Sequence, residues 1–167
     1  LLETIQGGAG FILPDLNYLK KVKSRCASVG ALLILDEIQP GFGRTGRFFG
    51  FEHFDVEPDI IVMGKGMGGG LPVGAFSSSH NLMKYFQDKP KLGHITTFGG
   101  NPVIAAASLA TLRVLRDSKL IRQIERKEAL FRKELKHNKI TEIRGKGLML
   151  AAILKNDEMV DKVIDQC

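Results

Sequence analysis

The chain has 167 residues, 44% of them hydrophobic and 25% charged, and carries a net charge of +6. That length and balance suit one ordinary globular domain with a sizeable core, and no apolar run approaches the roughly 20 residues that span a bilayer. The positive charge is spread over helical faces such as Lys20-Lys21-Val22-Lys23 and the stretch from Arg126 to Lys136. It forms no basic face interleaved with aromatics, which argues against a nucleic-acid partner.

Pro14-Asp15 reads as a helix start and Gly30 as its stop, with Leu16, Leu19, Val22, Cys26 and Val29 forming an apolar stripe. Ala31 to Asp36 reads as a strand. The glycine- and aromatic-rich stretch from Pro40 to Phe54 has no period, and long irregular segments of this kind are often functional. Strands are expected over Asp59 to Met63 and Leu71 to Ser78, and a short helix over Asn81 to Gln87. Asn101-Pro102 opens a long helix to about Arg116, followed by another from about Leu120 to His137. Ile140 to Arg144 and Leu148 to Leu154 read as strands joined around Gly145-Lys146-Gly147, and Asp157 to Gln166 as a helix. Alternating helix and strand implies an α/β fold with a mostly parallel sheet flanked by helices. The change of pattern near residue 137 marks the expected domain boundary. The chain opens at Leu1 without an initiator Met and stops at Cys167 inside a helical pattern, so both ends read as cut. Cys26 and Cys167 form no disulfide or metal spacing, which favours a reducing compartment.

Lys65 stands between Gly64 and Gly66, just beyond the apolar run Ile60-Ile61-Val62-Met63. Glycines there let a ligand or another backbone approach closely, and an amine in an apolar pocket becomes a nucleophile towards carbonyls. Asp36 closes the run Leu32-Leu33-Ile34-Leu35. Ligands of open α/β sheets sit beyond the carboxyl ends of strands, where both residues fall. Asp36 with Glu37 could form half of a metal site, but no His or further carboxylate follows at ligand spacing, and no metal is expected. A buried carboxylate instead needs a cationic partner, a role a protonated pyridine nitrogen would fill. His53, His80, His94 and His137 share no spacing and are assigned no chemistry. Arg44 reads as a loop-holding residue bonded to carbonyls, and Arg144 as a packing residue.

Asp36-Glu37-Ile38-Gln39-Pro40-Gly41-Phe42-Gly43-Arg44-Thr45-Gly46 resembles the signature of class III aminotransferases, fold-type I enzymes dependent on pyridoxal phosphate (PLP). Pro58 to Lys65 is similar to the family's lysine segment, and Thr96-Thr97-Phe98-Gly99-Gly100-Asn101-Pro102 to its phosphate-contacting loop. Arg144-Gly145-Lys146-Gly147-Leu148 resembles the start of its small domain. The motifs stand in family order and the likeness covers essentially the whole chain.

The resemblance implies that residues 1–116 are the C-terminal part of the large PLP-binding domain, 117–137 a connecting helix and 138–167 the beginning of an α+β small domain. It assigns Lys65 as the Schiff-base lysine and proton carrier, Asp36 as partner of the pyridinium nitrogen and Gln39 as neighbour of the ring oxygen. Thr96 and Thr97 would bind phosphate, with Thr97 reaching the neighbouring subunit's cofactor in a homodimer. Glu3 would open the substrate region. The implied reaction is ping-pong transfer of an amino group from an amino acid or ω-amine to a 2-oxo acid, in the cytoplasm or the mitochondrial matrix. Glu3-Thr4 stands where the family often has Glu-Pro, and Gly7-Gly8 where it often has Gly-Glu. The family's other phosphate loop, ring-stacking aromatic and substrate-carboxylate arginine have no counterpart here, so the isolated chain is expected to be inactive. An aminomutase of the same fold is a second reading, since Gly68 to Ala75 also resembles that branch. A noncatalytic nucleotide- or nucleic-acid-binding domain is a third, but Gly64-Lys65-Gly66 lacks P-loop spacing.

Overall fold

The computed structural model describes residues 1–88, 91 and 93–166. Its main sheet has the order β1 (Leu2–Glu3), β2 (Ile34–Asp36), β3 (Ile60–Gly64), β4 (Gly74–Ser78). β1, β2 and β3 run parallel, and β4 closes the edge antiparallel to β3. The alternation of β2 decides what lies on each face. Leu33 and Leu35 point to a core with Leu19 and Phe54, joined by Val22, Cys26 and Val56. Ile34 points the other way, where with Val62 and Phe76 it lines a broad apolar hollow of about 1200 Å³. A strand apolar on both faces is the pattern of a sheet covered on both sides.

Helix α1 (Tyr18–Ser28) supplies Leu19, Val22 and Cys26 to that core. It starts later than Pro14-Asp15 suggested, because the Asp15 side chain accepts from the Asn17 N–H and its carbonyl from the Tyr18 N–H, forming a turn ahead of the helix. Leu16 and Val29, expected in the stripe, are exposed. Lys23 on α1 pairs with Asp59 at 2.6 Å, and the other Asp59 oxygen accepts from the Leu33 N–H at 2.7 Å. Asp59 therefore ties α1 to β2 instead of starting β3, and the lysine's hydrogen bond, followed by that of Leu33, holds its carboxyl below the usual range.

Two short helices follow β4, α2 (His80–Met83) and α3 (Tyr85–Asp88), where one was expected. Helix α4 (Pro102–Asp117) begins as its sequence implies: Asn101 Oδ1 accepts from Val103 and Ile104, and Pro102 occupies the first turn. It packs against the 3₁₀ turn Lys65–Gly68. The next segment, expected as one helix, is a 3₁₀ turn at Ile121–Gln123 leading into α5 (Ile124–Glu134). A second sheet is the hairpin of β5 (Ile140–Lys146) and β6 (Met149–Leu154), after which Asn156 caps α6 (Asp157–Ile164).

The hairpin is held to α5 by charge-assisted bonds. Arg132 donates to the carbonyls of Ile143 at 2.6 Å and Gly145 at 2.8 Å, while Glu128 accepts from the Gly147 N–H at 2.7 Å. Gly145 and Gly147 have φ of +113° and +62°. A Cβ at Gly145 would stand 1.9 Å from the Met149 carbonyl oxygen, and one at Gly147 would stand 2.6 Å from Thr45. β5 thus runs through Gly145 and Lys146, beyond its expected end at Arg144. Leu19 is fully buried in the main core, so Leu19→Ala is expected to lower stability by about 3 kcal/mol, measured by denaturant unfolding.

Candidate active site

Asp36 ends β2 and pairs across the ladder with Glu3 on one side and Val62 on the other. Lys65 follows the last residue of β3. Parallel pairing therefore brings the carboxylate and the amine to one edge of the sheet. Asp36 is half-buried, and its Oδ1 accepts from the Ile38 N–H at 2.9 Å. Its Oδ2 has no hydrogen-bond partner among the described residues, and Asp36 lies outside the lining of the cleft that holds Lys65.

Lys65 is exposed instead of sunk in an apolar pocket, which corrects the burial expected from its surroundings. Its φ is +43°, a left-handed conformation that is uncommon without glycine and costs on the order of 1 kcal/mol. It lines a cleft of about 550 Å³ together with Gln39, Phe11, Phe42, Arg44 and Lys127. Phe11 and Phe42 have φ of +56° and +55°. Of the four non-glycine residues with positive φ among those described, three thus line this one cleft. Strained backbone of this kind persists where the surrounding structure over-determines it, and it concentrates at functional sites.

Gln39 is positioned by the N-terminal loop. A Cβ at Gly7 would stand 2.1 Å from Gln39 Oε1, and the Gly7 N–H donates to the Glu3 carboxylate. Glu3 is therefore a neighbour of Gln39 but lies outside the cleft lining. Thr96 and Thr97 are exposed in the turn before α4, where the Thr96 carbonyl accepts from the Gly99 N–H. Thr96 lines the large hollow on the sheet face and not the Lys65 cleft. Neither threonine joins Lys65 within one chain.

Glu37 was read only as a second acid beside Asp36, and its place differs. It has no solvent exposure. Its Oε1 accepts from the Thr4 hydroxyl at 2.6 Å and the Phe51 N–H at 2.9 Å, and its Oε2 from the Gly50 N–H at 2.7 Å. Burial pushes its carboxyl above the ordinary glutamate value, against the lowering effect of those three donors. A signal for this was present: Leu33, Leu35 and Glu37 share the parity of the buried face.

Arg44 holds its neighbours through its backbone, its carbonyl accepting from the Leu148 N–H at 2.9 Å, while its side chain is exposed on the cleft. Arg144 pairs with Glu142 at 2.8 Å. His53 Nε2 lies 3.1 Å from both the carbonyl and the hydroxyl of Thr45, bracing the turn on which the hairpin tip rests. Burial first, then the charges of Lys146 and Arg47, push its pKa down.

Residues 1–167 match the family model of the class III aminotransferases. The acetylornithine aminotransferase of Methanosarcina acetivorans is 45% identical over 158 residues, which are 93% of this chain and 39% of that protein. An acetylornithine aminotransferase from Elizabethkingia anophelis superposes with a TM-score of 0.89 at 37% identity, over 99% of this chain and 44% of that one. The ornithine aminotransferase of Toxoplasma gondii gives 0.83 at 39% identity, over 93% and 37%, and crystallised in the presence of oxidized glutathione it shows partial occupancy of PLP at its active site. The chain belongs to the class III aminotransferase family and shares the α/β fold of these enzymes. It spans about 39% of the length of the curated relatives it matches.

A histidine whose folded pKa is depressed contributes stability that is present above its unfolded pKa of about 6.5 and lost as pH falls through the folded value. Unfolding measurements between pH 7.5 and 5 are therefore expected to show acid destabilisation that is smaller in His53→Gln.

Proposed function

We propose that this chain carries the lysine-bearing part of the active site of a PLP-dependent aminotransferase. The reaction moves an amino group from an amino acid or ω-amine to a 2-oxo acid by a ping-pong route. One observation carries this reading: Lys65 and Gln39 share a cleft that gathers three residues of left-handed backbone, and Asp36, outside its lining, ends the neighbouring strand with one carboxylate oxygen unpartnered among the described residues. The donor set fits PLP, with an amine for its aldehyde, a carboxylate for its ring nitrogen and an amide for its ring oxygen.

Once bound, PLP supplies an electron sink for a substrate that loses the proton on its amine-bearing carbon. Asp36 would pair with the ring nitrogen and keep it protonated. Gln39 would donate to the ring oxygen and orient the ring. Lys65 anchors the group through Nζ, and the same amine then accepts and returns the substrate's proton, a role for which general acid–base catalysis supplies about 10²–10⁴-fold. The exposed turn bearing Thr96 and Thr97 supports a homodimer in which that turn meets the phosphate held by the other subunit. Similarity to acetylornithine aminotransferases favours donors of the ornithine, acetylornithine, 4-aminobutyrate or lysine type.

In the full-length protein incubated with PLP, borohydride is expected to fix the pyridoxyl group on Lys65, as read by peptide mass spectrometry. Lys65→Ala is expected to abolish that label and lower kcat by about 10²–10⁴-fold. Labelling elsewhere, or turnover of a single amino substrate without any 2-oxo acid, would sink the transaminase assignment.

A further inference from the structure

We propose that Glu37 is a positioning residue for this site: its buried carboxylate clamps three separate segments and thereby sets where Asp36 and Gln39 stand relative to Lys65. The inference rests on the PLP reading above, and it concerns a residue that touches neither cofactor nor substrate. Glu37 lies between Asp36 and Gln39 and points to the opposite face of the strand from Asp36, so it acts on them through the backbone.

The three donors come from different parts of the chain. Thr4 follows β1, and its own N–H donates to the Asp36 carbonyl. Clamping Thr4 thus fixes the start of the loop in which Gly7 rests against the Gln39 side chain. Gly50 and Phe51 open the 3₁₀ turn Gly50–Phe54, so clamping them fixes the far end of the segment that carries Phe42 and Arg44 into the cleft. The Glu37 backbone is equally committed: its N–H donates to the Val62 carbonyl and its carbonyl accepts from Gly41. A carboxylate offers acceptors to all three donors at once. An amide in its place turns one acceptor into a donor facing another donor, and a hydroxyl removed at residue 4 leaves the Glu37 Oε1 one donor short.

Full-length protein carrying Glu37→Gln, Thr4→Val or Leu19→Ala separates positioning from bulk stability, since Leu19 shares a core with Phe51 and Phe54 but makes none of the clamp's hydrogen bonds. In the cofactor-free state, Glu37→Gln and Thr4→Val are expected to speed amide exchange over residues 36–41 by about tenfold, which Leu19→Ala leaves unchanged. In the PLP-loaded state, Glu37→Gln is expected to weaken PLP binding about tenfold, by analogy with second-layer supports of bound metals. It is also expected to shift the pH midpoint of the bound cofactor's absorbance and to lower kcat more than it changes KM. Glu37→Asp, which keeps the charge, is expected to recover part of each effect. Thr4→Val removes a single donor and keeps the test available if Glu37→Gln does not fold. Unchanged exchange over 36–41 in Thr4→Val, or exchange there that rises equally in Leu19→Ala, overturns the inference whether or not PLP binds. Local loosening in a protein that takes up no PLP supports the clamp and overturns only the PLP reading.

Discussion

The Glu37 carboxylate, closed off from solvent, accepts hydrogen bonds from Thr4, Gly50 and Phe51 and joins the N-terminal strand, the central strand and the 3₁₀ turn that ends the glycine-rich segment. A carboxylate in such surroundings is strongly unfavourable unless its oxygens are satisfied. All three donors are therefore needed together to satisfy the buried oxygens. β1 shows the consequence. Two residues make too short a strand to be held by its ladder alone, yet the Thr4 side chain locks its end to β2. An unsatisfied oxygen at this position would cost about 1–3 kcal/mol, so loosening one segment loosens all three.

A second set of bonds builds the opposite wall of the cleft. Arg132 and Glu128 grip the β5–β6 hairpin by its carbonyls and the Gly147 N–H. The hairpin tip then bonds to the Arg44 carbonyl through Leu148, and His53 braces Thr45 from behind. The glycine-rich segment is thus held by Glu37 at one end and by the hairpin in its middle. This explains how Phe42 keeps left-handed backbone without glycine: the segment around it is held at several points, and relaxing the strain would break more than it releases.

Much of the site's chemistry was legible in short motifs. Lys65 and Asp36 each end an apolar run, and the α/β order places the ends of parallel strands on one edge. Element boundaries were less legible, for local reasons. Asp15 makes a side-chain turn that looks like a helix start, and the segment after Leu120 tightens to a 3₁₀ turn before α5 begins. Leu71 to Val73 carries strand-like residues, but the Leu71 N–H bonds back to Gly68, so β4 starts only at Gly74. The burial of Glu37 was readable from the parity of Leu33 and Leu35. An acid on an inward face runs against average preference, however, and only its donors make it tolerable.

By itself the sequence determined the class of fold, the family, and which amine and carboxylate stand at the strand ends, because periodicity and short motifs are local properties of a chain. The tertiary structure decided the rest. It showed Lys65 exposed, put Gln39 in its cleft and left Thr96 on another surface. It also turned Glu37 from a neighbour of Asp36 into the tie between distant segments. The physical reason is distance along the chain: the donors that satisfy Glu37 lie 33, 13 and 14 positions away, and no local pattern records which remote groups will meet a buried charge.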